Sequence, residues 1–174
     1  VFEKSMMTMR VERDGTPYNL GQEIAGYDAG NVAVAYGDSK ALMIWTDHVT
    51  RPFDTRVWYQ FVDPLTGQFA PSPPRELKAS RNFGTSSNLY PLLITWTGEM
   101  FSPAVTEFYW TGQGYDYEHW MWRVLPSGTN LDPQAVHLSG AGPRADMFEL
   151  VWNGKELWSF HAMKSPREFR RARI

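Results

Sequence analysis

The chain of 174 residues has no cysteine, which excludes disulfides and thiolate metal sites. That composition suits the cytoplasm and a secreted bacterial protein alike. No apolar run approaches the roughly 18 residues that a membrane-spanning helix needs. No stretch of a dozen residues carries a 3.6-residue apolar period either, so long amphipathic helices are not expected. A dominant charge is also missing. The 17 Lys and Arg against 19 Asp and Glu leave a formal net charge of −2, with no global pull toward nucleic acid or an anionic membrane. The opening "VFEKSMMTMRV" lacks an initiator Met and the charged-then-apolar layout of a signal peptide. It reads as a processed product or as a piece of something longer. No HExxH, phosphate-binding Gly loop, dinucleotide fingerprint or GxSxG occurs. His48, His119, His137 and His161 are scattered without ligand spacing. No metal and no cofactor is expected, and no residue stands out as catalytic.

Aromatic residues are abundant, at 15% with 8 Trp, 8 Tyr and 10 Phe. Such side chains favour pleated, half-buried surfaces and large core contacts. The 12 Pro and 14 Gly fall between short apolar runs, as turns between strands do. Strands are expected at 6–12, 32–36, 41–46, 56–62, 92–96, 106–110, 118–125, 147–152, 156–161 and 168–174. Shorter extended pieces are expected at 22–25, 75–79 and 135–139.

Two features recur along the chain. The first is a strand followed by a Gly turn: "MRVERDGT" (9–16), "QFVDPLTGQ" (60–68) and "WRVLPSGTNL" (122–131), with Gly15, Gly67 and Gly128 at positions that suit positive φ. The second is a hairpin that opens on an aromatic residue. It runs from Tyr36-Gly37 to Trp45, from Trp96-Thr97-Gly98 to Trp110, and from Trp152-Asn153-Gly154 to Phe160. The middle copy reads as having a longer connection, "EMFSPAVTEF". The two features alternate, giving a unit of roughly 50 to 60 residues and about four strands, the size of one β-propeller blade. The units fall at about 6–54, 55–116 and 117–174 of one all-β domain. Tyr36, Trp96 and Trp152 are expected to pack between blades, since a blade has two faces to bury.

"FELVWNGKELWSF" (148–160), "WRVLPSGTNLD" (122–132) and "VAVAYGDSKALMIWTD" (32–47) resemble the degenerate repeat of bacterial extracytoplasmic β-propellers. In that repeat an apolar-aromatic-Asn-Gly hairpin runs into Trp, then into a strand ending Arg-Val and an Asp/Ser-Gly-Thr turn. The likeness implies an architecture and an extracellular or periplasmic setting. It implies no particular ligand, because members share none. The sialidase-type Ser-x-Asp-x-Gly-x-Thr-Trp box is absent. About three units are visible, and propellers close with four or more. The strands at 6–12 and 168–174 occupy the same place in the repeat. An incomplete ring leaves open edges and apolar faces, so a further segment, other copies of the chain or a second chain is expected to complete it.

The densest aromatic stretch is "YWTGQGYDYEHWMW" (109–122). Alternation from Glu118 puts Trp120 and Trp122 on one face and His119 and Met121 on the other. Gln113, Tyr115, Asp116 and Tyr117 read as an exposed turn suited to a sugar, with rings to stack and polar groups for hydroxyls. Asp47 and His48, on an expected loop after Trp45, are a second candidate. The loops to test are 47–54, 99–104 and 112–117. The leading expectation is a non-enzymatic module that binds a glycan or a protein. The alternative is a glycan-directed hydrolase with a carboxylate pair from Asp47, Asp54, Glu107, Asp116 and Glu118; nothing in their spacing selects one. The basic tail "KSPREFRRARI" reads as a solvated strand whose Arg residues discourage edge pairing, not as a nucleic-acid patch.

Overall fold

The computed structural model describes residues 6–8, 16, 22–24, 29–49, 54–78, 88–138, 145–163 and 169–173. They form antiparallel sheets, with no helix among the described residues. Strands β1 (Met6–Thr8) and β2 (Gln22–Ile24) make a two-stranded sheet. The first large sheet has the order β3 (Ala29–Gly37), β4 (Lys40–Val49), β5 (Asp54–Val62), β6 (Arg75–Leu77). The second repeats that order with β7 (Asn88–Trp96), β8 (Phe101–Trp110), β9 (Tyr115–Met121) and β10 (Val136–His137). The third has β11 (Ala145–Trp152), β12 (Leu157–Met163) and β13 (Phe169–Arg173).

Every expected strand within the described residues is present. The boundaries shift by a few residues, most of all at "EMFSPAVTEF". That segment is not a long connection: Phe101 already pairs with Trp96, and only residues 97–100 form the turn. Pro103 is accommodated within the strand, opposite Ile94. Residues 9–12 of the first expected strand, and Gly15, lie outside the described residues. Successive large sheets begin at Ala29, Asn88 and Ala145, just under 60 residues apart. The sheets run out of phase with the units at 6–54, 55–116 and 117–174, because β5 closes the first sheet's hairpin and β9 the second's.

The three large sheets stack in step. Asn31 Nδ2, near the start of β3, donates to Leu89 O near the start of β7 (3.0 Å). At the other end Trp96 lies against Gly37. Farther along the stack, Thr95 Oγ1 donates to Leu150 O (3.2 Å). The first strands of the sheets therefore run the same way, and the turns at 38–39, 97–100 and 153–156 share one end.

Alternation along β4 shows how the stack is held. Leu42 and Ile44 face the second sheet, where they meet Val105, Phe101 and Trp122; Ala41, Met43 and Trp45 face the opposite way with Val62 and Trp58. Both faces are buried, as a central strand of a layered stack requires. Full burial of side chains such as Leu42, Ile44 and Phe101 contributes roughly 1.5–3 kcal/mol each. A separate cluster, with Ala104, Met121, Phe148, Leu150 and Leu157, joins the second and third sheets.

The expected inter-sheet role holds for Trp96 and Trp152, which pack half-buried against these clusters. It fails for Tyr36, which is 63% exposed together with Val32 and Val34 on the same face of β3. Trp96 and Trp152 each have a large sheet on the side they face; among the described residues no large sheet lies on the corresponding side of Tyr36.

Candidate functional site

The far end of the stack, opposite the turns just described, carries the β8–β9 hairpin tip. Residues 111–114 close it: Thr111 N donates to Gly114 O at 2.9 Å, and Gly112 has φ +88. This places Tyr115 and Tyr117 in β9, not in a turn. The register sets Trp110 opposite Tyr115 and Phe108 opposite Tyr117, and alternation puts all four rings on the face directed toward the third sheet. Trp110 and Tyr115 meet edge to face at 5.2 Å, Phe108 and Tyr115 at 5.8 Å, and Phe108 and Tyr117 stack at 6.0 Å. The two rings of the outer rung, Trp110 and Tyr115, are 53% and 54% exposed. The result is an aromatic ladder that ends in open solvent.

The other candidates disperse. Asp116 lies opposite Tyr109 on the reverse face of the hairpin, where Tyr109 Oη donates to Glu118 Oε1 (3.0 Å). Gln113 is exposed in the turn at the ladder's tip. Asp47 is buried on the first sheet's face away from the second, beyond Trp45, so it does not join the ladder. His48 is within β4 and not on a loop; its side chain, like that of Asp54, lies outside the described residues. The segment 99–104 sits at the opposite end from 112–117, and from Phe101 onward it is buried strand. The three test loops therefore do not converge on one mouth.

Phe108 and Trp110 were not among the candidates. The signal for them is the symmetry of "FYWTGQGYDY" about its Gly-Gln-Gly turn, which pairs Trp110 with Tyr115 across two residue-alternating strands.

Of the candidate acids, Glu107 and Glu118 are directly paired across β8 and β9. Glu107 is only 1% exposed, and its Oε2 accepts a hydrogen bond from Trp120 Nε1 (3.1 Å). Trp120 and Trp122 belong to the core shared with the first sheet, while Met121 faces the third, as the alternation requires.

One residue pair inward from Phe108 and Tyr117, the interface with the third sheet turns polar. Thr106 Oγ1 lies 2.9 Å from His119 Nδ1, and the His119 ring stacks on Phe148 at 4.5 Å and lies 4.9 Å from His161. His161 Nε2 is 2.9 Å from Ser159 Oγ. His161 is thus in a strand and buried. His119 Nε2 and His161 Nδ1 are buried without a partner among the described residues. Burial, followed by the nearby His161 and His137, pushes the His119 pKa down to about 3; burial lowers that of His161. Both rings are neutral at pH 7. Among the described residues no group of three or more His, Asp or Glu is placed to hold a metal ion.

No protein-family model and no curated protein matches the chain. Its structure is similar to the crystal structure of an endo-arabinase from Bacteroides thetaiotaomicron VPI-5482. The TM-score is 0.54 and the identity 11%, over 91% of this chain and 60% of that one. The chain thus spans about three-fifths of the endo-arabinase, and at that identity the likeness is one of fold.

Proposed function

We propose that this chain is a β-propeller-like binding module that recognises a glycan through the aromatic ladder of the β8–β9 hairpin. The observation that carries this is the exposure of Trp110 and Tyr115 side by side at 5.2 Å. Exposed large rings cost hydrophobic free energy unless something covers them. The apolar face of a sugar ring covers such a platform while Gln113 remains at its tip to meet hydroxyls. The propeller-like reading is supported by sheets of the same strand order stacked in step, and by the fold likeness to a glycan-active enzyme. An extracellular or periplasmic location and membership of a larger assembly belong to the same proposal. The exposed Val32, Val34 and Tyr36 on one outer face, and Val151 and Phe160 on the other, support the assembly.

Binding is preferred to hydrolysis because of Glu107. A hydrolase needs two carboxylates on opposite sides of the scissile bond, about 5 to 10 Å apart, whereas Glu107 is buried beside Trp120. Affinity electrophoresis and calorimetry against a polysaccharide panel that includes arabinan test the proposal. Trp110→Ala and Tyr115→Ala should each weaken binding about tenfold, equal to about 1.4 kcal/mol. Unchanged affinity in both variants rules the platform out. Release of reducing ends by the wild-type protein would establish the hydrolase instead.

A further inference from the structure

The two clefts between the large sheets are built from corresponding positions, and they differ in one direction. In the first cleft the Trp96 indole lies on bare backbone: a Cβ at Gly37 would overlap the Trp96 ring. Leu42, Tyr59 and Phe61 fill the space below. A turn from the second sheet then closes the end. Gly128 O accepts from Tyr59 Oη (3.0 Å) and Arg75 Nη1 (2.7 Å), and Pro126 O accepts from Lys40 Nζ (2.8 Å).

In the second cleft the hairpin registers put Thr97 where the first has Gly37, Ser102 for Leu42, Met121 for Tyr59 and Arg123 for Phe61. They also put Met100 for Lys40 and Val136 for Arg75. Thr97 is buried, and its hydroxyl donates to Met100 O (3.0 Å), so its Cβ is held in the spot that Gly37 leaves empty. A Trp152 ring seated as Trp96 is would meet that Cβ. The fillers have shrunk or become polar, and the donors that gripped the turn have become apolar. A groove of about 830 Å³ results, within the size range of small-molecule sites.

The chemistry of this groove narrows its occupant. Met100, Met121, Val136 and Leu157 supply apolar surface beside Trp152, a surface suited to a flat apolar ring. It lacks the donors that hold Gly128 O and Pro126 O in the first cleft, so it is not a second seat for a peptide turn. Of the charged residues that line it, Arg173 Nη2 pairs with Glu156 Oε1 at 3.3 Å, which leaves Arg123 and Lys155 facing Glu99. Asp132 grips Arg123 through Nε and Nη2 at 2.7–3.2 Å, which fixes the guanidinium plane and leaves Nη1 without a partner among the described residues. Lys155 is exposed at the rim.

We infer that the groove binds a small amphiphile made of a flat apolar ring bearing one carboxylate. The ring lies between Trp152 and the two methionines, and the carboxylate accepts hydrogen bonds from Arg123 and Lys155. This site is at the opposite end of the stack from the aromatic ladder and is independent of the glycan proposal.

Titration of the purified chain with 3-phenylpropionate and with 3-phenylpropanol, followed by tryptophan fluorescence and calorimetry, tests it. Saturable one-to-one binding of the acid is expected, with the alcohol about tenfold weaker and the difference shrinking as salt is raised. Lys155→Gln, an exposed change that leaves the fold intact, should weaken the acid roughly threefold to tenfold and leave the alcohol unchanged. Thr97→Gly should abolish binding of both, because Trp152 can then settle as Trp96 does. No saturable binding of either compound, equal affinity for the two, or an acid affinity unchanged in Lys155→Gln overturns the inference. The Trp110→Ala variant serves as a control that should bind the acid normally.

Discussion

At the scale of single residues, the closeness of the first two sheets depends on Gly37. Its φ is ordinary, so only the indole above it forbids a side chain. Gly37→Ala should destabilise the protein by roughly 1–3 kcal/mol, the usual range for forcing a group into a packed interface, read as a lower urea midpoint. His119 and His161 make a second residue-level expectation. Each is neutral in the folded protein because its pKa is lowered. The unfolded chain therefore binds more protons below pH 6.5, and stability present at pH 7 is lost as pH falls toward the folded value of about 3. From His119 alone the loss at pH 5 is about 2 kcal/mol. Denaturation midpoints at pH 7 and pH 5 measure it, and His119→Gln should remove most of the difference. Neither effect is legible in the sequence. Gly37 looks like one of several turn glycines until Trp96 is seen above it, and His119 looks like a solvated strand residue until Phe148 covers its ring.

At the scale of elements, the sequence is far more transparent. Strands such as β4, β5, β7 and β11 sit in their own apolar runs, and Trp120 and Trp122 fall on the face that alternation assigns. The β3–β4 turn is a two-residue hairpin loop in which Asp38 and Ser39 both take positive φ, 49° and 58°. Non-glycine residues pay a steric penalty there. Ser39→Gly should therefore stabilise the protein by about 0.5–1 kcal/mol, seen as a higher urea midpoint. Where element-level reading failed, local signals pointed away from the pairing. Pro103 and the polar "EMFSP" disguised the start of β8, and the "GYDY" motif hid that its tyrosines continue a strand. Half of the aromatic ladder was accordingly visible, as Tyr115 and Tyr117. The other half depended on a cross-strand register that only the Gly-Gln-Gly turn could have revealed.

At the scale of the molecule, the repeat length was legible but its phase was not, since a periodic signal has no natural starting point. Hydrogen bonding sets the phase by grouping β3 to β6 and β7 to β10. The outer faces bearing Val32, Val34 and Tyr36, and Val151 and Phe160, carry the proposed assembly. Sedimentation velocity should show concentration-dependent association that Val34→Lys weakens; a monomer at every concentration would argue against the assembly. The seating of Trp96 on Gly37 has a broader consequence. The first sheet receives an indole on bare backbone at Gly37, whereas the second carries Thr97 at the corresponding position, so the two junctions are not interchangeable. A copy of the middle sheet placed after itself would bring its own indole against Thr97, so lengthening the stack by duplication calls for Thr97→Gly in the sheet that receives the copy.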